Sequence, residues 1–554
     1  MPVSYYQIAP IILDHVIAEQ PVTVLDVGIG FGKYGVLVRE VLDLPFERYE
    51  QKDWLVQIDG IEIHQGYKNP IYDYIYHNIF YDPLENVLPK LENYDVILLI
   101  DLIQNFTKSD GKNLIKELLE KTNKTLIITT PLYPHSQQYY LDNPHEKHIS
   151  RWSQIDFTDF DFHYEEVKIG DNGAQIIKIY PPQKEKKEYP IDEYLSHPLQ
   201  SMKRKPLNIT FILPHKSMTG GLKMLVEQMK WLQMKGHQVH ALLRTNDPTF
   251  PIFHEHMKIY ISKETVIPSS EPYKSYLEGS DVVVAGFFDQ LNELSSTPYP
   301  VVYWEQGYPF LFGDIPRDYN VTIQREYMQQ NYSKNVALLA SSQLLSKMIL
   351  TKFQRKASLL PCCIDLSIFN PKDNKLTEPT ILLINNPTVR LKGTDIALET
   401  LERVWRLGVR FKVKWVMPYK NNLSVKSYPI EYIINPSKEK LAATFHDSSL
   451  LVCTSLYEGF GLPPLEAMAT GVPVVSTKCG GINMYAEHGE NALLFDPGDI
   501  QGLAGGIIRL LHDEELRGKL IDNGIQTAQN FSYEKNVAQL EEYLWKTKEF
   551  FSLK

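Results

Sequence analysis

The chain has 554 residues, of which 43% are hydrophobic and 22% are charged, a composition typical of a soluble globular protein. This length exceeds what one hydrophobic core supports, so we expect several domains. The net charge of −10 argues against a general nucleic-acid binder, and the four cysteines are neither a disulfide framework nor spaced as zinc ligands.

The N-terminus predicts the compartment. MPVSYYQIAPIILDHVIAEQ lacks the basic start and apolar run of a secretory signal, and no apolar stretch approaches the length of a bilayer span. We therefore expect a cytoplasmic protein and allow for peripheral contact with the inner face of a membrane.

Apolar runs alternate with amphipathic stretches along the chain, which predicts parallel sheets covered by helices. The alternation breaks over 181–206, which is rich in Pro, Lys and Glu as linkers are. A second boundary follows the segment LLPCCIDLSIFNP. We predict an α/β protein of three Rossmann-like, doubly wound domains at 1–183, 206–370 and 371–554, with a linker at 184–205.

A glycine-rich turn follows the first predicted strand, in VTVLDVGIGFGKYGVL. Small residues at a strand-to-helix turn let a ligand approach the backbone closely. A second strand, VQIDGIEI, carries Glu62 near its end, where a carboxylate can accept from both hydroxyls of a ribose. The pattern indicates a nucleotide-like cofactor.

With the later strands YDVILLIDLIQNF and KTLIITTP, this ordered set resembles class I S-adenosylmethionine-dependent methyltransferases. NAD is the rival cofactor, but Lys33 stands where the third glycine of its Gly-x-Gly-x-x-Gly fingerprint belongs. One departure from the family is an apparent insertion, DLPFERYEQKDW, before Glu62. The resemblance implies that the cofactor is bound by Asp26, Gly28, Gly30, Gly32, Glu62, Asp82 and Asp101.

After the fifth strand, Asn143, Glu146, His148 and Trp152 resemble a recurring pattern in small-molecule and glycan methyltransferases. His148, like His145, would act as base for a sugar hydroxyl, because imidazole titrates near neutrality. Capping and packing of a loop is the alternative role for both histidines. Their His-x-x-His spacing does not predict a metal site, since no third ligand accompanies it.

The second domain begins LNITFILPHKSMTGGLKMLVEQMKWL, where a strand leads through Gly220 and Gly221 into an amphipathic helix. This unit resembles the start of the N-terminal, acceptor-side half of GT-B glycosyltransferases. The resemblance implies that the two glycines lie near the donor phosphates and the acceptor. Trp304-Glu305-Gln306 follows a later strand and is a candidate lining of the acceptor cleft, with packing as the alternative.

In the third domain, SLYEGFGLPPLEAMATGVPV places Glu458 and Glu466 eight positions apart around a turn. Its two glycines leave backbone amides uncovered, and Pro463-Pro464 suits the first turn of a helix, where Glu466 is expected as well. Bare amides at a helix N-terminus suit a diphosphate, and nearby carboxylates suit sugar hydroxyls.

This segment resembles the Glu-x7-Glu signature of retaining, group 1 glycosyltransferases of the GT-B fold, and its flanks SLLVCTS and GVPVVSTKCGGINMYAEHGENALLFDPGD match as well. The resemblance implies that Glu466 binds the donor ribose and Glu458 the transferred sugar. The last helix, NFSYEKNVAQLEEYLWKTKEFF, resembles the family's crossover helix. The implied donor-binding residues are Gly220, Gly221, Lys392, Glu458, Gly459, Phe460, Gly461, Leu462 and Glu466.

Two cations are expected to stabilise the leaving diphosphate, with no metal required. Lys392-Gly393 matches one of them. The family's arginine would fall near Asn386, so we predict that Arg390 supplies the second charge. Asp159-Phe160-Asp161 satisfies the Asp-x-Asp of manganese-binding GT-A enzymes, but it lies outside both glycosyltransferase halves and is expected to be structural.

We therefore predict a bifunctional glycan-modifying enzyme. One activity is retaining transfer from a nucleotide sugar to a glycan or lipid-linked glycan acceptor, and the other is S-adenosylmethionine-dependent O-methylation of a sugar. The first domain as a non-catalytic recognition or assembly module is one alternative. A phosphorylase or synthase acting on free sugars is another, although no pyridoxal phosphate motif is recognisable. The predicted catalytic residues are Glu458, Lys392, Arg390 and His148.

Overall fold

A computed structural model of the chain describes residues 4–132, 143–170, 172–183, 187–197, 205–214, 220–246, 261–372, 378–419 and 426–553. The chain forms two compact units. The first unit comprises Met1–Lys186 and Pro309–Val321, and the second comprises Lys187–Tyr308 and Thr322–Lys554. None of the helices in the described ranges is both long and apolar enough to cross a membrane.

The first unit holds one seven-stranded sheet in the order β3-β2-β1-β4-β5-β7-β6. Strands β1 to β5 are parallel, and β7 pairs antiparallel with both β5 and β6. Its strands are β1 Thr23–Val27, β2 Gln57–Ile61, β3 Asn78–Phe80, β4 Tyr94–Ile100, β5 Thr122–Pro131, β6 Asp161–Ile169 and β7 Asn172–Tyr180, and its helices are α1 Ala9–Glu19, α2 Lys33–Leu42, α3 Pro70–Ile75, α4 Leu84–Val87 and α5 Lys108–Glu120.

The strand order of this sheet fixes where a ligand can enter. The chain runs from β1 outward to β3 and then returns to β4 on the other side of β1. Ligands of open α/β sheets bind beyond the carboxyl ends of the strands at such a reversal. The central strands are buried on both faces, as Val24 and Leu25 lie in different core clusters, which explains their nearly continuous apolar sequence.

The segment Pro309–Val321 belongs to the first unit although it follows a strand of the second. The Gly313 carbonyl accepts a hydrogen bond from the Tyr164 amide at 2.9 Å, and Gln154 Nε2 donates to the Phe312 carbonyl at 2.6 Å. These backbone contacts attach the segment to β6 and to the turn before it.

The second unit holds two parallel sheets, in the orders β10-β9-β8-β11-β12-β13-β14 and β17-β16-β15-β18-β19-β20. The first has β8 Asn208–Leu213, β9 Gln238–Arg244, β10 Lys263–Ile267, β11 Val282–Ala285, β12 Val301–Glu305, β13 Ala337–Ala340 and β14 Ser358–Leu359, and the second has β15 Thr380–Ile384, β16 Lys412–Met417, β17 Ile430–Ile434, β18 Leu450–Cys453, β19 Val474–Thr477 and β20 Leu493–Phe495. The prediction of an α/β protein with several Rossmann-like sheets is confirmed.

Helices cover both sheets of the second unit. They are α6 Pro190–Tyr194, α7 Gly220–Met234, α8 Leu291–Leu294, α9 Val321–Tyr332, α10 Gln343–Phe353, α11 Thr394–Arg406, α12 Lys438–His446, α13 Leu462–Ala469, α14 Ile500–His512, α15 Glu514–Ala528 and α16 Tyr533–Ser552. The last helix, α16, contacts α7, β11 and β12, with Lys235 Nζ 2.6 Å from Glu541 Oε2. The C-terminal helix thus packs on the half formed by β8 to β14.

Part of the predicted linker is packed against the second unit. Residues 187–197 contain α6, and Asp192 forms two hydrogen bonds with the fully buried Arg355. Arg355 Nε lies 2.8 Å from Oδ2, and Nη2 lies 2.7 Å from Oδ1. Such a bidentate pair fixes the orientation of the two side chains in addition to pairing their charges.

Candidate functional site

The glycine turn of the first unit depends on glycine for its backbone conformation. Gly28, Gly30 and Gly32 have φ of +79°, +57° and +84°, which L side chains rarely adopt. The Gly28 amide donates to the Ile61 carbonyl at 2.9 Å, which ties the turn to the end of β2. Gly32 immediately precedes α2, so the turn leads directly into a helix N-terminus.

Two buried carboxylates lie beside this turn. Glu62 accepts from the Gly30 amide at 2.9 Å and from the His64 amide at 2.8 Å. Tyr76 donates to Asp26 at 2.7 Å. Burial raises the pKa of Asp26 to about 7 against the opposing effect of the Tyr76 hydrogen bond, and burial also raises the pKa of Glu62.

A cavity of about 740 Å³ opens above the turn, and we call it the glycine-loop pocket. Of the seven predicted cofactor residues, all but Gly32 line it. Both candidate histidines line it as well: His145 is exposed and His148 is half-buried. The predicted residues in its wall are Asp26, Gly28, Gly30, Glu62, Asp82, Asp101, His145 and His148.

Asp101 is held at the end of β4 with φ of +50°. Thr129 donates to its carboxylate at 2.9 Å. Burial raises the pKa of Asp101, while Thr129 and Lys33 oppose that shift. Lys33, which the sequence marked only as a departure from the NAD fingerprint, lines the pocket and donates to the Ser4 carbonyl at 3.1 Å.

The other residues of the predicted acceptor pattern have structural partners. Asn143 Nδ2 donates to Tyr67 Oη at 3.3 Å, and Tyr67 donates to Glu146, so these side chains hold the loop at the pocket wall. Trp152 is 1% exposed and donates from Nε1 to Ser150 Oγ at 2.8 Å. Trp152 is therefore a core residue.

In the second unit, Glu458 is the centre of a hydrogen-bonded group that follows β18. Lys392 Nζ donates to Glu458 Oε1 at 2.6 Å, and Ser455 Oγ donates to the same oxygen at 2.7 Å. The Glu458 amide donates to the Cys479 carbonyl at 2.7 Å, which anchors the backbone. We call Lys392, Ser455 and Glu458 the lysine–glutamate group.

A tight turn delivers Lys392 to this group. Gly393 has φ of +56°, and a Cβ there would clash with the Thr454 carbonyl. Thr454 Oγ1 donates to the Gly393 carbonyl at 2.8 Å, so the turn is fixed to the end of β18. Burial lowers the pKa of Lys392, but the charge and hydrogen bond of Glu458 outweigh it and raise the pKa above its ordinary value.

The turn Gly459–Leu462 leads into α13, whose first residue is Leu462. A Cβ on Gly459 would clash with the Gln306 carbonyl, and Gly461 has φ of +89°. The Phe460 side chain is buried against Tyr485 and Phe531, so only its backbone faces the turn. The arrangement leaves the backbone of a helix start next to the lysine–glutamate group.

Glu466 is the fifth residue of α13, one position past the first turn in which it was expected. Its side chain is half-buried. Burial raises the pKa of Glu466 to about 7, with the charges of Lys223 and Lys438 opposing the shift. Lys438 also pairs with the buried Glu227 of α7.

Gln306 joins the two halves of the second unit at this point. Its side chain Nε2 lies 3.4 Å from the Gly221 carbonyl, and its backbone lies against Gly459. Gly220 and Gly221 are the first residues of α7. The structure thus brings the predicted glycines of one half close to the predicted turn of the other.

Three further candidate residues lie outside the lysine–glutamate group. Arg390 is exposed at the start of the short 3-10 turn Arg390–Lys392, and Glu458 is bound by Lys392 and Ser455. Trp304 is buried and donates to the Leu360 carbonyl at 2.9 Å. Glu305 is buried and accepts from the Gly307 and Tyr308 amides, which makes it a structural residue.

The Asp-x-Asp motif packs as a structural element, and four residues near the site were not identified from the sequence. Lys112 pairs with Asp159 at 2.7 Å and Phe160 is buried, in accord with the expected structural role. Sequence reasoning did not identify Thr454 or Ser455, although both lie in the matched flank. Lys223 and Lys438 carried no signal, because only the fold brings them near Glu466.

Comparison with known proteins gives one family match. Residues 427–527 match the model of the family glycosyl transferases group 1, a segment that contains Glu458 and Glu466. The MMP alpha-(1->4)-mannosyltransferase of Mycolicibacterium hassiacum is 29% identical over 226 residues, which cover 38% of this chain and 54% of that protein. The chain thus spans about half the length of this curated relative.

Two solved structures share the fold. Sucrose-phosphate synthase from Thermosynechococcus elongatus has a TM-score of 0.53 at 19% identity, covering 63% of this chain and all of that chain. HepE from Anabaena, solved in complex with UDP-glucose, has a TM-score of 0.51 at 16% identity, covering 61% and 99%. The chain therefore contains a GT-B fold, and its segment 427–527 is similar to the group 1 glycosyltransferases.

Proposed function

We propose that the second unit transfers a sugar, with retention of configuration and without a metal ion, from a nucleotide-diphosphate sugar to a glycan or lipid-linked glycan. The observation that carries the proposal is the lysine–glutamate group beside the turn Gly459–Leu462, at a helix start. We extend the proposal to the domain boundaries predicted above, with 206–370 as acceptor half and 371–554 as donor half.

Each group has a role that follows from its chemistry. The amides of Gly459–Leu462 and the ammonium of Lys392 would bind the diphosphate, since both are donors to anions. Glu458, held by Lys392 and Ser455, would orient the sugar and stabilise the positive charge that develops on it. Glu466 would accept from the ribose hydroxyls, and Gly220 and Gly221 would lie over the phosphates. Arg390 is proposed as a second cation that closes on the donor.

In the transfer step, the bond between the sugar and the diphosphate breaks, and the acceptor oxygen bonds to the same face of the sugar. The acceptor proton passes to the leaving phosphate oxygen, so atoms and charge balance. Lys392 stabilises the negative charge on the leaving diphosphate, which is why no metal ion is required. The names of the relatives support a hexose as the transferred sugar.

A thermal-shift screen with UDP, GDP, dTDP and ADP sugars tests this proposal, because a ligand that binds the folded state alone raises the melting temperature. We expect one nucleotide class to raise it and Glu466→Ala to abolish the shift. Glu431→Ala, at an exposed position of β17, is the matched control and should keep it. Silence from every nucleotide sugar, with no nucleoside diphosphate released, would contradict the proposal.

We further propose that the first unit, over 1–183, binds S-adenosylmethionine and methylates a sugar hydroxyl. The residues fit this cofactor: the turn requires glycine, and the Glu62 carboxylate is fixed at the end of β2, where it can accept further hydrogen bonds. When bound, the cofactor supplies an electrophilic methyl group. Asp26, Gly28, Gly30 and Glu62 would hold its adenosine part, with Asp82 and Asp101 in the same wall and Gly32 starting α2.

His148 is proposed as the base that takes the proton of the sugar hydroxyl, with His145 as the alternative. Calorimetry with S-adenosylmethionine and S-adenosylhomocysteine should show binding that Glu62→Gln weakens and Glu40→Gln, at an exposed position of α2, does not. Binding without methyl transfer to any glycosylated product would favour the non-catalytic recognition module instead. No binding of either compound would contradict the proposal.

A further inference from the structure

Away from the glycine-loop pocket, three metal-ligating side chains of the first unit converge. They are His15 of α1 and His163 and Glu165 of β6, and their ligating atoms all lie within 4.8 Å of one another. His163 and Glu165 are 1% and 8% exposed, and His15 is half-buried. None of the three lines the pocket, so the proposed methyl transfer does not account for them.

The tautomer of His163 follows from its backbone contact. Nδ1 lies 3.1 Å from the Gly313 carbonyl oxygen, which can only accept, so Nδ1 carries the hydrogen. The neutral ring then presents the lone pair of Nε2, which lies 3.3 Å from Glu165 Oε1. A lone pair and a carboxylate oxygen facing each other at this distance repel, and a metal ion bound to both would remove that repulsion.

His15 brings a third ligand atom to the same place. Its Nε2 lies 2.7 Å from Glu165 Oε1, the same oxygen that His163 Nε2 approaches. A ring nitrogen and a carboxylate oxygen are both common ligands of transition metals. Two imidazole nitrogens and one carboxylate oxygen thus lie within 4.8 Å of one another.

The outer contacts are those that metal ligands usually have. The Gly313 carbonyl fixes the His163 ring, and Arg317 Nε donates to the second oxygen, Glu165 Oε2, at 2.7 Å. Ligating histidines commonly donate their other N–H to a carbonyl, and ligating carboxylates are themselves hydrogen-bonded. Both outer residues belong to Pro309–Val321, the segment inserted into the first unit.

We propose that His15, His163 and Glu165 bind one divalent transition-metal ion of the Zn²⁺ type, with water as fourth ligand. Two imidazoles and a carboxylate suit Zn²⁺, whose bonds of about 2.0–2.2 Å place tetrahedral ligands about 3.3 Å apart. The 3.3 Å between His163 Nε2 and Glu165 Oε1 already fits, whereas the 2.7 Å between His15 Nε2 and the same oxygen would have to lengthen. The ion would join α1 and β6 and, through Gly313 and Arg317, the segment Pro309–Val321.

The test uses the full-length protein, stripped with EDTA and then titrated with ZnCl₂. We expect one Zn²⁺ per chain by elemental analysis and a rise in melting temperature on its addition. Loss of a ligand in His15→Gln or Glu165→Gln should weaken binding at least about a hundredfold, the upper range for loss of an outer partner alone. The matched control is His512→Gln, an exposed position of α14, which should bind as the wild type does.

Two results would overturn the site. If stripped protein neither takes up Zn²⁺ nor changes its melting temperature, the cluster is a histidine–carboxylate contact that holds no metal. If Zn²⁺ binds equally well to His15→Gln, the ion sits elsewhere. Because His15 is the least buried of the three, its variant keeps the test valid even where Glu165→Gln fails to fold. Replacement of Zn²⁺ by Co²⁺ adds an absorption spectrum that reports the ligands directly.

Discussion

At the scale of single residues, Lys392 and Glu458 each depend on the other. Glu458 is fixed by Lys392 and Ser455, and the same carboxylate keeps Lys392 charged despite its burial. A donor diphosphate would meet an ammonium that is already positioned, so little reorganisation is needed when charge develops. In the proposed mechanism Lys392 therefore stabilises the leaving diphosphate, and Glu458 both positions that ammonium and faces the sugar.

Replacing Lys392 tests that role. We expect Lys392→Ala to lower kcat/KM for sugar transfer by about 10²–10³-fold, the effect of removing one donor from a developing anion. Release of nucleoside diphosphate is the measurement. Lys478→Ala removes a partly exposed lysine of the same half, paired with Asp496, and should leave the rate unchanged. Equal rates for both variants would contradict the assignment.

Glu466 gives the second unit a pH dependence whose sign is determined by burial. Its pKa is about 7 in the folded state, above the ordinary value of 4.5, so ionisation is penalised by folding. Below pH 4.5 the group is protonated in both states and costs nothing. The penalty grows from pH 4.5 to 7 and is complete above pH 7.

Glu466→Gln should therefore stabilise the protein at pH 8 by about 2 kcal/mol relative to its effect at pH 5, an upper range for one buried carboxyl. Melting temperatures of wild type and variant at the two pH values measure this difference. Glu439→Gln, at an exposed position of α12, is the control. A difference that does not depend on pH would show that Glu466 is ionised at no cost.

At the scale of elements, the turn before α13 depends on a glycine because another chain segment touches it. A Cβ at Gly459 would clash with the Gln306 carbonyl, so Gly459→Ala must separate the two halves of the second unit or displace the turn. We expect a lower melting temperature and loss of the nucleotide-sugar shift. Gly505→Ala in α14, where a Cβ would meet nothing within 4 Å, should be neutral or stabilise by about 0.5–1 kcal/mol.

The sequence predicted elements well where local chemistry decides them. The alternation of apolar runs and helices predicted the parallel sheets, and the Gly-x-Gly-x-Gly turn lies where a strand ends and a helix begins. It could not predict Gln306 as the residue that meets both Gly221 and Gly459, because that contact depends on how two distant segments pack. The His15–His163–Glu165 cluster was missed for the same reason, since His15 is far from His163 and Glu165 along the chain.

At the scale of the whole molecule, composition did not predict how the segments that connect domains are packed. The stretch 181–206 has the composition of a linker, yet residues 187–197 within it fold onto the second unit through Asp192 and Arg355. Composition reports the average chemistry of a segment, whereas this attachment depends on one carboxylate meeting one guanidinium. Likewise, Pro309–Val321 lies between elements of the second unit but belongs to the first.

Breaking the Asp192–Arg355 pair tests whether the segment 187–197 stabilises the second unit without affecting the first. Asp192→Asn leaves the buried guanidinium without its counter-charge, and breaking a buried pair in this way costs about 3–5 kcal/mol. We expect a lower melting temperature for nucleotide-sugar-bound protein, while binding of S-adenosylmethionine to the first unit is unchanged. Glu193→Gln, exposed on the same helix, should change neither. If both ligands lose affinity together in Asp192→Asn, the two units depend on each other and the segment is more than a support for one of them.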